Sequence, residues 1–358
     1  MQKSPPRQGP LTGVKVLEFI GLGPAPHCAM LLADLGADVV RIERAGGNGW
    51  PNPVQDRGRR IVELDIRTEA GCARCLELAA KADVLIEGYR PGVMERLGLG
   101  PDILQPLNPG LIYGRVTGWG QTGPLAQAAG HDINYIALAG ALASMGTSGP
   151  PVPPLNLVGD YGGGSMLLAF GILAALVERQ SSGKGQVIDA AIVDGVSSLM
   201  SLFSGLAASG SISMDRDRNL IGGAAPYYRS YACSDGRYVA IGALEPKFFA
   251  ELLEKLGMDS GFRELQNVTA SWPQIEAEFA RIFATHTQAD WCELLESTDA
   301  CFAPVLTLSE APDHPHMSAR ETYVQVDGQR QSAPVPKFSR TPGAARPSVT
   351  LTGDDEIW

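Results

Sequence analysis

Two side chains stand out for the chemistry their surroundings permit. His131 lies in Ala129-Gly130-His131-Asp132-Ile133-Asn134-Tyr135, just after the Gly/Pro-rich run GWGQTGP. A histidine at a helix start either caps that helix or, as the side chain best able to exchange a proton near neutral pH, does acid–base work. Gly130 beside it would let the backbone approach a ligand closely. Asp160 lies in Leu157-Val158-Gly159-Asp160-Tyr161-Gly162-Gly163-Gly164-Ser165, directly before an apolar helical run. As an N-cap it would only stabilise that helix. Three glycines in a first turn are costly, however, and suit a place where bare amides meet a ligand oxygen. A helix N-terminus there would stabilise developing negative charge. We therefore expect Asp160 to be catalytic. Glu245, in Ile241-Gly242-Ala243-Leu244-Glu245-Pro246, is on its own a loop carboxylate.

Arginines cluster early, at Arg41, Arg44, Arg57, Arg59, Arg60, Arg67, Arg90 and Arg96, in a chain that is acidic overall. Guanidinium is the better fork for phosphate oxygens and can stack on a base, so the cluster points to a small phosphate-rich ligand. The turn Gly21-Leu22-Gly23-Pro24-Ala25-Pro26, with Glu43 at the end of the next strand, imitates a dinucleotide fingerprint. Pro26 stands where close helix–strand packing wants glycine, and Pro24 removes an amide from the cradle, so a nicotinamide or flavin is not expected. Cys72 and Cys75 form a lone CxxC within a helical run and read as structural. His314 and His316 flank a proline in DHPHM and read as a surface loop. No metal site is expected.

The elements that must position these groups alternate early in the chain. Val14 to Phe19, Ala37 to Ile42, Val84 to Glu87 and Leu111 to Val116 read as strands. His27 to Leu35 and Thr68 to Ala80 read as helices between them. That rhythm predicts an α/β domain with a parallel, Rossmann-like sheet. Helices over Asp132 to Ala143, Gly163 to Arg179 and Asp194 to Ser209, with a short strand at Gln186 to Ala190, complete it. A polar, Gly-rich stretch from Ser211 to Ala225 reads as a linker. Beyond it, Ser234-Asp235-Gly236 joins two strand-like runs in a hairpin. Helices over Lys247 to Leu256, Trp272 to Thr285 and Gln288 to Thr298 follow, then a strand near Phe302. The expected organisation is a large domain over 1–190 with a return segment at 333–358, a linker helix and loop over 191–226, a smaller α+β domain over 227–312 and a return linker over 313–332.

With 358 residues, 44% hydrophobic and 19% charged, the composition is that of a folded soluble chain. A net charge of −10 argues against a nucleic-acid platform. The apolar run Met166 to Val177 is too short to span a bilayer, so no membrane partner is expected. The start lacks a secretory or transit pattern, and the terminal DDEIW carries no organelle address. A cytoplasmic enzyme is the expectation.

Longer runs carry a resemblance. GPAPHCAMLLADLGADVVRIER, DVLIEGYRPGVMERLGLG, AGHDINY, PPLNLVGDYGGGSM, ERQSSGKGQVIDAAIVDG and APYYRSYACSDGRYVAIGALEP resemble the family III CoA-transferases (the CaiB–BaiF superfamily), and within them the bacterial α-methylacyl-CoA racemases. The resemblance extends from about Leu11 to about Arg340. It leaves the first ten residues as an unmatched extension, expected to be disordered, and Gly46 to Asp56 as a variable loop. It implies an interlocked homodimer whose active site lies between the large domain of one subunit and the small domain of the other. Carried over by motif, the CoA contacts would be Arg44, Leu64, Asp65, Ile66, Arg67, Gly88, Tyr89, Arg90, Arg96, Gly130, Asp132, Ile133, Asn134 and Tyr135. His131 and Asp160 match the two catalytic bases, and Glu245 matches the acid that supports the histidine from the partner subunit. The implied reaction interconverts (2R)- and (2S)-2-methylacyl-CoA thioesters through an enolate, whose oxygen the amides of Asp160 and the glycine run would hold. It needs no cofactor beyond the substrate's own CoA. The alternative is a CoA-transferase in which Asp160 attacks the thioester and carries an acyl anhydride. Transferases of this family resemble one another in lacking a histidine at the position of His131. A non-catalytic CoA-binding protein would need neither residue.

Overall fold

The computed structural model describes residues 7–147, 149–352 and 357–358. Of the ten-residue extension, positions 1–6 lie outside the described residues, as does most of the terminal DDEIW. Arg7 is held in place, with its guanidinium 2.7 Å from Asp38 and donating to the Ala37 carbonyl at 2.9 Å. The chain divides into two compact units.

The first unit comprises Met1–Ala139, Pro154–Leu199 and Pro315–Trp358. Its sheet contains β1 (Lys15–Phe19), β2 (Asp38–Glu43), β3 (Arg59–Glu63), β4 (Val84–Glu87), β5 (Ile112–Thr117) and β6 (Val187–Ala191). With the terminal strand Val349–Thr350 the sheet has seven strands, in the order Val349–Thr350, β3, β2, β1, β4, β5, β6. Every pairing is parallel. This is the expected sheet, and its central strands are the continuous Val/Ile/Leu runs that burial on both faces selects. The chain turns from building outward on one side of β1 to the other side at β4. Crevices at the carboxyl ends of strands form at such a reversal.

Strand β3 is not among the expected elements, its Arg59 and Arg60 being read above as part of the phosphate-binding cluster. Arg59 is buried, as are Arg41 on β2 and Glu18 on β1. The Glu18 carboxylate accepts from Arg41 Nε at 3.2 Å and from Arg59 Nε at 3.0 Å. Arg57 is likewise buried and forks onto Asp34, with Nε to Oδ1 at 2.9 Å. Arg60 pairs with Asp38 at 2.7 Å. These four arginines are therefore corrected from the phosphate-binding reading: their charges are spent inside the sheet and its flanking helix. A buried guanidinium persists only where carboxylates and carbonyls satisfy it.

The helix carrying Asp160 also begins earlier than expected. Leu157–Met166 winds in wide π-helical geometry and runs on into the α-helix Leu167–Ser182. Asp160 thus sits inside the first turn instead of capping it. A Cβ on Gly163 would come within 2.9 Å of Val196, and one on Gly195 within 1.9 Å of the Gly163 carbonyl oxygen. A Cβ on Gly164 would meet Pro24 at 3.0 Å. The glycines therefore allow close backbone packing against the helices Ile192–Leu199 and Pro24–Asp34. Taken whole, Leu157–Ser182 is long and apolar enough to cross a membrane by length and composition, whereas the run Met166 to Val177 alone is too short. Leu168 and Ile172 bury one side of it against Gly114 of β5.

The second unit comprises Gly140–Pro153 and Met200–His314. Its antiparallel sheet joins β7 (Tyr228–Ala232), β8 (Tyr238–Gly242) and β9 (Phe302–Val305), with the expected turn at Gly236, whose φ is 76°. The helices Pro246–Lys255, Trp272–Phe283 and Gln288–Leu295 pack on it through an aromatic core including Tyr227, Tyr231, Phe249, Phe279, Phe283 and Trp291. The division differs from the expected one at several places, and residues 200–226, expected as a linker, belong to the second unit. Gly140–Pro153 joins the second unit, where Ser144 adjoins Gly222; the helix Ile192–Leu199 joins the first through Gly195; and the hairpin Tyr323–Val326/Gln329–Ser332 joins the first, with Gln331 accepting from Arg57 at 2.7 Å.

Candidate active site

A cavity of about 670 Å³ opens at the carboxyl ends of β1, β2, β3 and β4, where the strand order reverses. Ile20, Gly21 and Leu22 follow β1, Glu43 and Arg44 close β2, Leu64, Asp65, Ile66 and Arg67 follow β3, and Gly88 and Tyr89 follow β4. Val93, Arg96 and Leu97, on the Val93–Arg96 turn and just after it, complete the far wall, and Gly47 and Asn48 of the variable loop form a rim. Its size suits a nucleotide-containing ligand. Eight of the residues expected at the CoA moiety line it together: Arg44, Leu64, Asp65, Ile66, Arg67, Gly88, Tyr89 and Arg96.

Its charges are partly prearranged. Arg67 holds Asp65 through Nε and Nη2, both at 2.9 Å, and these bonds keep the Asp65 carboxyl down at about 2. Arg44 donates to the Gly47 carbonyl at 3.0 Å and remains exposed, as does Arg96. The Tyr89 hydroxyl is pushed up to about 12, first by burial and then by Glu87.

Arg90 and the stretch Gly130–Tyr135 lie outside that lining. The place of a Cβ on Gly130 is filled by the Tyr135 ring at 2.8 Å and the Trp119 ring at 2.9 Å, so aromatic packing alone requires glycine there. Those two rings meet edge to face at 4.8 Å. Arg90 is exposed and near enough to Tyr135 to act on its titration.

His131 is the exposed N-cap of the helix Asp132–Leu138, and Asn134 Oδ1 accepts its backbone N–H at 3.0 Å. The next residue joins it to Asp160. Asp132 is buried, and its Oδ1 accepts the Asp160 amide at 2.7 Å, with the Gly159 amide also bonded to the carboxylate. Gly159 has to be glycine here, since its Cβ would lie 2.2 Å from Asp132 Oδ1. The Asp132 carboxylate is thus a cap for the wide helix. The Asp160 amide is correspondingly committed to it, which corrects the expectation that this amide holds an enolate oxygen.

The Asp160 side chain lies over the first βα turn. Its Oδ2 accepts from Asn156 Nδ2 at 3.2 Å and sits 3.2 Å from where Gly23 would carry a Cβ. Burial raises the pKa of Asp160, and the negative charge of Asp132 adds to that rise; the Asn156 hydrogen bond and the charge of His131 oppose it. A partly buried carboxyl with a raised pKa is suited to proton transfer. Glu245, in the second unit, is the exposed N-cap of Pro246–Lys255, and its side chain makes no capping bond. His314 bonds Glu296 at 2.8 Å, and all six cysteines are free thiols.

Two groups near Asp160 escaped the sequence reading. His27 shares a 2.7 Å hydrogen bond with Ser165 and packs on the Tyr161 ring at 4.6 Å. Gln55 reaches the same spot from the variable loop. Spacing within one segment carries no signal of such meetings.

Comparison with known proteins gives a consistent result. The chain is 45% identical to the α-methylacyl-CoA racemase of Mus musculus over 335 residues, 93% of this chain and 87% of that protein. It is 43% identical to the Homo sapiens α-methylacyl-CoA racemase over 334 residues, with the same coverage. Among solved structures it resembles a CAIB/BAIF family protein from Brucella suis, with a TM-score of 0.79, 26% identity, and coverage of 96% of this chain and 97% of that one. The model of CoA-transferase family III matches residues 11–355, and with a parallel-sheet cavity where such a ligand would lie, this chain belongs to CoA-transferase family III.

Proposed function

We propose that this protein is an α-methylacyl-CoA racemase, interconverting the two epimers of 2-methylacyl-CoA thioesters. The observation that supports this reading is the Asp132 link, in which the residue after His131 accepts the backbone amide of Asp160 at 2.7 Å and so joins the two segments that carry the proposed bases. The relatives named as racemases support the same choice.

In the proposed reaction the CoA moiety occupies the cavity and the thioester reaches the His131–Asp160 pair. The α-hydrogen of a thioester is acidic enough for a well-placed base. In one direction the Asp160 carboxylate takes that proton, leaving an enolate, and protonated His131 delivers a proton to the opposite face of the α-carbon. In the other direction neutral His131 takes the proton and the Asp160 carboxylic acid returns one. Protonated His131 also places positive charge beside the enolate. The CoA belongs to the substrate, and no further cofactor enters.

We assign Glu245 the support of His131 from a second copy of the chain, the site being completed in a homodimer. The exposed and unengaged carboxylate of Glu245 supports this, as do the exposed apolar side chains Leu157, Met166, Phe170 and Val177 along one helix. Exposed apolar surface of this kind marks an interface. Cytoplasmic placement is proposed with it.

The test presents one epimer of a 2-methylacyl-CoA in D2O with a free carboxylic acid present. Deuterium at the α-carbon with loss of configuration, and no new CoA ester, is the expected result. CoA appearing on the added acid with the α-hydrogen retained would instead make Asp160 a nucleophile and the protein a transferase. Light scattering should return twice the chain mass of 37.9 kDa, and an active monomer would refute the shared site.

A further inference from the structure

We infer that Gln55 is a positioning residue for Asp160, holding the catalytic carboxylate in register from the variable loop. This rests on the racemase reading of the Asp160 site. The Gln55 side-chain Nε2 donates to the Tyr161 hydroxyl at 3.3 Å and lies 3.5 Å from the Gly23 carbonyl oxygen. Tyr161 is the residue after Asp160, and Gly23 is the residue over which the Asp160 carboxylate lies. One amide group therefore ties together the two backbone segments that fix where that carboxylate stands.

Gln55 is itself anchored from below. Its carbonyl oxygen accepts from Nη1 of the buried Arg59, and its neighbour Asp56 pairs with the buried Arg41 at 2.8 Å. The ion network inside the sheet thus ends on this position. At the other end of the loop, Asn48 lines the cavity and donates to the Gly21 carbonyl at 3.0 Å. The loop therefore grips the first βα turn at both ends, once beside the cavity and once beside Asp160. His27 steadies the far side of Tyr161 through ring contact and its bond to Ser165. Gln55 touches neither the cavity nor the reacting atoms, so its effect passes through Tyr161 and the turn.

The experiment compares Gln55→Met, which keeps the length and loses the donor, with Tyr161→Phe and the double variant, using α-deuterium uptake by the full-length protein. Small misplacements of a reacting group cost large factors in rate, so Gln55→Met should lower kcat about tenfold while KM for the CoA ester stays within about twofold. Tyr161→Phe should lower kcat by a smaller factor, and the double variant should be no worse than about twofold below Gln55→Met, because both remove one interaction. Gln55→Glu, whose carboxylate can still accept the Tyr161 O–H but meets the Gly23 carbonyl oxygen as a second acceptor, should fall between wild type and Gln55→Met. Unchanged kcat in Gln55→Met and Tyr161→Phe would overturn the inference. So would a rise in KM at constant kcat, which would make Gln55 a residue of the CoA loop, or fully multiplicative effects in the double variant. Should Gln55→Met fail to fold, Tyr161→Phe decides alone: a kcat loss at constant KM supports the role, and wild-type kinetics overturn it. The wild-type protein reports separately on the reading beneath. If it moves CoA and not the α-deuteron, the racemase reading fails, and the same comparison is scored on the transfer rate.

Discussion

Replacing Asp132 by alanine separates a helix cap from a ligand contact. Its carboxylate is buried and accepts the amides of Gly159 and Asp160, the latter at 2.7 Å. Removing a charged acceptor from one buried and one partly buried donor costs about 1–3 kcal/mol for each. The other oxygen, Oδ2, is buried without a hydrogen-bond partner, and burial already raises the Asp132 pKa, so its loss relieves part of that. The net expectation is a destabilisation of about 2–4 kcal/mol. In a chain of this size that corresponds to a fall in Tm of roughly 3–5 °C. Asp132→Asn keeps an acceptor and should lose about 1 kcal/mol. Because the cap sets the backbone of Asp160, Asp132→Ala should also lower α-deuterium exchange by about a hundredfold, the scale for displacement by an ångström. CoA affinity by calorimetry should hold within about twofold, since Asp132 lies outside the cavity lining. A variant that melts and exchanges like the wild type, or one that loses CoA affinity at constant kcat, would refute the cap.

Three further outcomes can be checked alongside it. With its pKa raised by burial, Asp160 favours the fold as the neutral acid; this contribution is full below its ordinary value of 3.8 and fades as pH rises through the raised value. When it acts as the base it must be ionised, so the acid limb of kcat in that direction should lie above 3.8, and Asn156→Leu, which removes a bond that lowers the pKa, should move the limb further up; a limb that does not move would disprove the assignment. Gly195→Ala would drive a Cβ to within 1.9 Å of the Gly163 carbonyl oxygen, and we expect a loss of about 1–3 kcal/mol or more in urea unfolding, together with slowed exchange. Asp34→Ala would leave the buried Arg57 guanidinium without its 2.9 Å partner and should cost about 3–5 kcal/mol with little change in CoA affinity; wild-type stability would show that the pair carries no weight.

Much of this molecule is legible in the residue order. Continuous apolar runs at Val16-Leu17, Val39-Val40 and Val84-Leu85-Ile86 require burial on both faces, and helices between them leave only a parallel sheet. The residues expected at CoA came from the family resemblance, and eight of them line the cavity that opens where the strand order reverses. His131 and Asp160 stand out in the sequence because each lies in a local context unusual for its type.

Tertiary structure decided the rest. Arg41, Arg57, Arg59 and Arg60 look the same in sequence as Arg44 and Arg96. What divides them is whether a carboxylate from another strand or helix waits within 3 Å or so, and for Arg59 that partner is Glu18, 41 positions away. The glycines after Asp160 advertise free backbone, yet their missing side chains make room for Gly195, Val196 and Pro24. Asp132 became a cap, and Gln55 became a tie between the turn and Tyr161, because the fold brings together segments 28 and 106 positions apart. Local pattern registers a residue's preferences; which neighbour satisfies its hydrogen bonds and fills its space is settled only when the chain closes on itself.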